Sequence, residues 1–187
     1  MTCFPPEAAN MQEILEKAKL IRLVVFDVDG VLTDGKLFFD ETGREYKSFN
    51  AKDGQGIKML RSTGVEAAII SGRKSASVSL RMSSLGVEHV YQGQEDKVAA
   101  LDELCHLLSL SRDQVAFVGD DLQDLPVMGC ARLGIAVADA HIAVRQHADW
   151  CTSLPGGCGA AREVCDLVMN AQGTLGALTS EYLAARD

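Results

Sequence analysis

Short apolar runs alternate along this chain with longer stretches in which apolar residues recur at helical spacing. The runs Leu23 to Phe26, Val65 to Ile70, Val115 to Val118 and Leu133 to Ala138 have the length and continuity of strands buried on both faces of a parallel sheet. Lys97 to Leu108 sets Val98, Leu101, Leu104, Cys105 and Leu108 on one helical face. Met11 to Leu20, Lys74 to Ser84 and Ala160 to Asn170 read as further helices, Val87 to Tyr91 as a short strand, and Leu125 to Met128 as a short helix. Asp53-Gly54-Gln55-Gly56 precedes a helix that runs to about Arg61. Strands alternating with helices predict an α/β fold built on a doubly wound parallel sheet.

One segment breaks this rhythm. Lys36 to Phe49 reads as a β-hairpin: Leu37-Phe38-Phe39, a turn at Asp40-Glu41-Thr42-Gly43, then Glu45 to Phe49. Leu37, Phe38, Phe39, Tyr46 and Phe49 make it too apolar for a solvated ribbon, and a lone two-stranded hairpin is marginal in water. It must fold back on its own domain or meet other subunits. The tail from Gln172 to Asp187 is polar, with some helical character. No repeat, linker or low-complexity stretch divides the chain, so one domain is expected over residues 1–187.

A formal net charge of −8 argues against a nucleic-acid partner, which calls for a basic face. No run approaches the ~18 apolar residues of a membrane span. Met1 to Asn10 carries no basic stretch followed by an apolar one, so cytoplasm is the default compartment. The cysteines (Cys3, Cys105, Cys130, Cys151, Cys158 and Cys165) form no Cys-x-x-Cys pair and read as reduced, mostly packed residues. Cys158 stands apart, between glycines in a loop. His89, His106, His141 and His147 do not cluster, and none is given a catalytic role.

The chemistry lies where strands end. Leu23 to Phe26 runs into Asp27-Val28-Asp29-Gly30, and Val115 to Val118 runs into Gly119-Asp120-Asp121-Leu122-Gln123-Asp124. Open α/β sheets place their ligands at the carboxyl ends of strands. Cleaving a phosphate ester needs a nucleophile, a proton for the departing alkoxide and cations for the phosphoryl oxygens. Asp27, rigid at a strand end, suits the nucleophile. Asp29 follows on the same side as acid and then base. A hard Mg²⁺ ion would take oxygens of Asp27 and Asp120 with a backbone carbonyl, Asp29 completing the metal set. Ser71 at a third strand end can donate to phosphate, and Lys97 adds its charge at a helix start. Each fragment alone also fits a turn, a cap or a solvated residue; their joint placement at strand ends favours chemistry.

Asp27 to Thr33, Ser71-Gly72-Arg73, Lys97 and Gly119 to Asp124 resemble, in order, the four motifs of the haloacid dehalogenase superfamily. That resemblance implies an Mg²⁺-dependent phosphatase with an aspartyl-phosphate intermediate, in which Asp121 and Asp124 orient the metal and its waters. Members usually carry a cap domain. Here Asp34 to Ser71 holds only the hairpin and one helix, and Gly72 to Glu95 one helix and one strand, so no cap is expected. Further segments (Lys36 to Gly56, Ile70 to Lys74, Tyr91 to Gly93, Val137 to His141, Gly156 to Glu163) make Ile21 to Gln172 similar to the 3-deoxy-D-manno-octulosonate 8-phosphate phosphatase family. The resemblance implies a sugar acid phosphate as substrate, and a homotetramer whose hairpins form its core and whose tails reach neighbouring sites. It also implies a place in lipopolysaccharide precursor synthesis. Under it, Asn50, Ala51, Lys52, Asp53, Gly54, Lys58, Gly72, Arg73 and Arg81 contact substrate together with Asp29 and Lys97. Lys58 stands where the family pattern expects arginine, and Cys158 where it often has a larger polar residue. A nonulosonate 9-phosphate phosphatase and a non-catalytic module that binds sugar phosphates are the alternatives.

Overall fold

A computed structural model describes residues 11–184 of the chain. The readings made on Met1 to Asn10, Cys3 among them, lie outside the described residues, as do the last three residues of the tail. The first strand, β1 (Leu23–Phe26), is followed by a hairpin of β2 (Phe38–Phe39) and β3 (Glu45–Tyr46), then β4 (Glu66–Ser71), β5 (His89–Gln92), β6 (Val115–Gly119), β7 (Leu133–Ala136) and β8 (Trp150–Cys151). Outside the hairpin the strands form a six-stranded sheet in the order β5-β4-β1-β6-β7-β8, and every pairing in it is parallel. β1 lies between β4 and β6, pairing Phe26 with Ile69 on one side and with Val118 on the other. The chain leaves β1 toward β4 and returns later to β6, so β1 marks the point where the strand order reverses, the usual seat of a ligand crevice.

Helices α1 (Met11–Lys19), α2 (Ala51–Ser62), α3 (Ala76–Leu85), α4 (Lys97–Leu108), α5 (Leu125–Cys130), α6 (Ile142–His147), α7 (Ala160–Ala171) and α8 (Leu175–Ala184) cover the sheet and its ends. α1 and α2 both pack on α7, while α4 and α5 pack on each other and on the sheet. β1 and β6 are buried along their whole length, as their unbroken apolar runs require. Among the described residues no helix is long and apolar enough to cross a membrane.

Three features depart from the pattern. Helix α2 starts at Ala51, because Asn50 caps it by accepting a hydrogen bond from Lys52 N. Its Gly54 and Gly56 are interior contact points against Arg81 and Arg162, not a break before the helix. β8 and α6 carry too few residues for a periodic signal. The tail forms α8, which rests on α2 through a 2.7 Å hydrogen bond from Gln55 Nε2 to Tyr182 Oη. The expected cap-free layout holds: only the hairpin and α2 lie between β1 and β4.

Candidate active site

Asp27 follows the last residue of β1, and its backbone N–H donates to Val118 O of β6 at 3.0 Å. That bond extends the ladder by one residue and fixes the side chain at the carboxyl end of the central strands. Gly30 then turns with φ +91°, and a side chain there would collide with the Asp120 carboxylate. A non-glycine residue would be strained at that φ as well. The glycine-rich segment braces this loop from the other side. Gly157 N–H donates to Val31 O at 2.9 Å, Gly156 N–H to Asp139 Oδ1 at 2.9 Å, and a Cβ on Gly156 would collide with Gly30 O.

Beneath the loop sits a buried charge cluster. Lys97, the first residue of α4, places Nζ 3.1 Å from Asp27 Oδ2 and 2.6 Å from Asp124 Oδ1. Asp124 is fully buried, and its Oδ2 accepts from Asp120 N and Asp121 N at 3.0 and 3.2 Å. It therefore ties the lysine to the β6 loop. Burial alone would lower the Lys97 ammonium, but Asp27 and Asp124 outweigh it and hold it raised. Burial raises Asp27 to about 6 against the opposing pull of Lys97. Asp120, buried and facing Asp124 and Asp27, is pushed up to about 8.

Those last two values describe carboxylates in want of a cation. Oδ1 of Asp27 and Oδ1 of Asp120 are buried with no hydrogen-bond partner. Oxygens of Asp27, Asp120 and Asp124 lie within 4.8 Å of one another. An all-oxygen donor set with two orphaned carboxylate oxygens fits a hard divalent ion such as Mg²⁺. The Asp29 carboxylate is not in this group, which leaves Asp29 only its backbone carbonyl for a metal. Asp124 joins it while also bracing the loop. Asp121 is an exposed cap that accepts from Leu122 N at 2.7 Å.

Above the cluster a cavity of about 220 Å³ is lined by Asp27, Asp29, Ser71, Gly72, Arg73, Gln94, Glu95 and Gln123. Ser71 ends β4, is buried, and its carbonyl accepts from Gln94 N at 3.0 Å. Asp29 Oδ1 pairs with Lys47 Nζ, and Arg73 Nε lies 3.5 Å from Asp29 Oδ2. Glu45 joins both cations, 3.2 Å from Lys47 and 2.9 Å from Arg73.

The remaining residues expected to contact substrate are placed differently. Asn50 braces rather than faces the cavity: its Nδ2 donates to Gly157 O at 3.2 Å and its carbonyl accepts from Arg81 at 3.3 Å. Asp53 is buried, and its Oδ1 accepts from Arg162 N in the first turn of α7 at 2.8 Å. Burial raises its carboxyl against that backbone bond. Arg81 lies against Gly54, while Ala51 and Lys52 are exposed on α2. Lys58 lines a separate cleft of about 510 Å³ with Gln55, Tyr182 and Glu181. None of them lines the cavity above Asp27 in the single chain; Asn50, Asp53, Gly54 and Arg81 instead surround a small void beside Leu32 and Phe49.

The hairpin pair Glu45 and Lys47 escaped the sequence reading, which weighed only the segment's apolar residues. Their signal was alternation, since Glu45, Lys47 and Phe49 are half-buried while Tyr46 and Ser48 between them are exposed.

The family of haloacid dehalogenase-like hydrolases matches residues 87–156. The chain is 47% identical over 174 residues, 93% of its length and 91% of the other's, to 3-deoxy-D-manno-octulosonate 8-phosphate phosphatase of Escherichia coli strain K12. Its structure resembles that of a probable YrbI-family phosphatase from Pseudomonas syringae pv. phaseolica 1448a, with TM-score 0.91 and 56% identity, covering 92% of this chain and 98% of that one. It also resembles the 3-deoxy-D-manno-octulosonate 8-phosphate phosphatase of Moraxella catarrhalis, solved with magnesium, phosphate and the sugar acid (KDO). There the TM-score is 0.91 and the identity 41%, covering 92% of this chain and 99% of that one.

Proposed function

Because the chain belongs to the 3-deoxy-D-manno-octulosonate 8-phosphate phosphatase family of haloacid dehalogenase-like hydrolases, and is thus a phosphoric monoester hydrolase, we propose that it takes that family's substrate. The reaction releases phosphate from 3-deoxy-D-manno-octulosonate 8-phosphate in the cytoplasm, as a step of lipopolysaccharide precursor synthesis. The observation that carries the reading is a buried carboxylate, Asp27, braced by a buried lysine at the floor of a small open cavity with Arg73 at its rim.

Asp27 is the nucleophile. One of its oxygens bonds to phosphorus as the bond from phosphorus to the sugar oxygen breaks, and Asp29 gives its proton to that oxygen. Water then attacks phosphorus, its proton passes to Asp29, and Asp27 leaves as the free carboxylate with inorganic phosphate released. Lys97 fixes Asp27 and, with the Ser71 hydroxyl, offsets charge on the phosphoryl oxygens. Asp27 and Asp120, with Asp124 beside them, would hold an Mg²⁺ ion, whose charge would offset that of phosphate and carboxylates. Arg73 suits the sugar acid's carboxylate, for which its guanidinium must part from Glu45. The whole chain, residues 1–187, acts as one catalytic unit.

An open cavity needs something to exclude water. The exposed Leu37, Phe38, Phe39 and Tyr46 of the hairpin support self-association, with a homotetramer as the assembly. Lys58, outside the cavity of its own chain, serves substrate only through a neighbour's site.

The test is phosphate release over a panel of sugar phosphates, with Mg²⁺ and with EDTA. Mg²⁺-dependent preference for the eight-carbon acid is expected. Higher kcat/KM on a nonulosonate 9-phosphate would reassign the substrate, and tight binding without release would favour a binding module.

A further inference from the structure

We propose that Lys47, carried on the hairpin, is the positioning residue of Asp29: it pins one carboxylate oxygen so that the other is presented to the leaving group. This rests on the phosphatase reading above. Lys47 is unusual for a hairpin lysine, its side chain being only 1% exposed. Its ammonium takes Asp29 Oδ1, while Asp29 Oδ2 is buried in the wall of the cavity that Asp27 and Ser71 share, accepting no hydrogen bond and facing Arg73 Nε at 3.5 Å. A carboxylate hydrogen-bonded at one oxygen, with the other approached only by Arg73 Nε at 3.5 Å, has that second oxygen left to carry the transferable proton.

Glu45 makes the arrangement electrically self-contained. Two carboxylates (Asp29, Glu45) and two cations (Lys47, Arg73) alternate around the rim, Glu45 standing 3.2 Å from Lys47 and 2.9 Å from Arg73. A buried lysine set against an acid catalyst would otherwise add a net positive charge beside it. The hairpin thus delivers both the pin and its counter-charge, and the geometry of proton donation depends on a segment outside the main sheet.

Proton donation matters only for a poor leaving group. A benzyl alkoxide needs a proton to depart, whereas p-nitrophenolate departs without one. Neither ester has a carboxylate for Arg73, and the two are similar in size. In kcat/KM only the steps through departure of the leaving group count. Lys47→Met should lower kcat/KM on benzyl phosphate by roughly 30-fold or more, and on p-nitrophenyl phosphate by less than about threefold. Lys47→Arg should recover most of the loss, and Glu45→Gln should fall between. If Lys47→Met does not fold, the same ratio is read from Lys47→Arg and Glu45→Gln, with circular dichroism reporting the fold. Equal losses on the two esters, or no loss, would overturn the proposal. A wild type that cleaves both esters but not the octulosonate 8-phosphate would remove the substrate reading and leave the role of Lys47 to be judged on the ratio.

Discussion

The ammonium of Lys97 stands 3.1 Å from Oδ2 of Asp27, with both side chains almost wholly buried. Among the described residues Lys97 is the cation paired with Asp27, the other lysine with a buried side chain, Lys47, being taken up by Asp29 and Glu45. Removing one member of a buried pair leaves the other uncompensated. Lys97→Met should therefore abolish measurable turnover, because Asp27 and Asp120, already raised, would face Asp124 without a cation and take up protons. The sign of the stability change follows. With folded-state values raised further above the unfolded ones, the variant's stability falls as pH rises. It should melt near the wild type at pH 5 and lose roughly 3–5 kcal/mol at pH 8. A uniform offset between the two pH values would contradict the charge argument.

Asp27 itself gives the simplest check of the nucleophile. Asp27→Asn keeps the volume and leaves Lys97 paired with Asp124 at 2.6 Å, so it should eliminate turnover of every phosphate ester while leaving the melting temperature within a few degrees. Retained activity would reassign the nucleophile.

The metal prediction rests on Asp120, whose burial beside Asp124 and Asp27 raises it to about 8, with Asp27 raised to about 6. An acid raised in the folded state stabilises below its unfolded pKa and loses that contribution as pH climbs through the folded value. Metal-free protein should therefore lose melting temperature between about pH 4 and pH 8. Mg²⁺ should restore it, and the gain should be larger at pH 8.5 than at pH 6, where binding must first displace protons. Calorimetry in two buffers of different ionisation enthalpy should detect proton release at pH 6. A pH-independent gain would place the ion elsewhere.

Much of this was legible in the chain because the site is built at strand ends. Asp27, Ser71 and Asp120 each follow a run apolar enough to be read as a buried strand, and the parallel order brings those ends together. Lys97 was legible as the first residue of a strongly periodic helix. What the pattern hid was tertiary. The substrate role of Asn50 and Asp53 comes from the family resemblance alone; the pattern did not show that Asp53 caps α7 across the fold or that Asn50 holds the glycine-rich segment. Lys58 lies on the far part of α2, a placement that depends on where the helix starts, and two internal glycines obscured that start. Glu45 and Lys47 were masked by the aromatic residues around them.

Gly156 gives a contrast with Lys47. A methyl group there would collide with the carbonyl of Gly30, forcing the loop after Asp27 to shift. Gly156→Ala should cost roughly 1–3 kcal/mol of stability. It should lower kcat/KM on benzyl and p-nitrophenyl phosphates alike, since a displaced nucleophile affects both. A loss confined to the poor leaving group would mean that the loop acts through Asp29 instead.

The hairpin joins assembly to chemistry. Phe38 and Phe39 are 52% and 57% exposed, while two residues beyond Glu45 on the same ribbon Lys47 is sealed against Asp29. A two-stranded ribbon this short does not hold its own shape in water, so covering its aromatic face with other subunits would also steady its charged face. Replacing both aromatics, Phe38→Ser with Phe39→Ser, should convert the expected tetramer to smaller species in sedimentation velocity, with the main sheet still folded by circular dichroism. The dissociated variant should show the same signature as Lys47→Met, a larger loss on benzyl than on p-nitrophenyl phosphate, because the ribbon that carries the pin is no longer steadied. Full activity in a monomeric variant would separate the two faces and leave Lys47 held by its own chain alone.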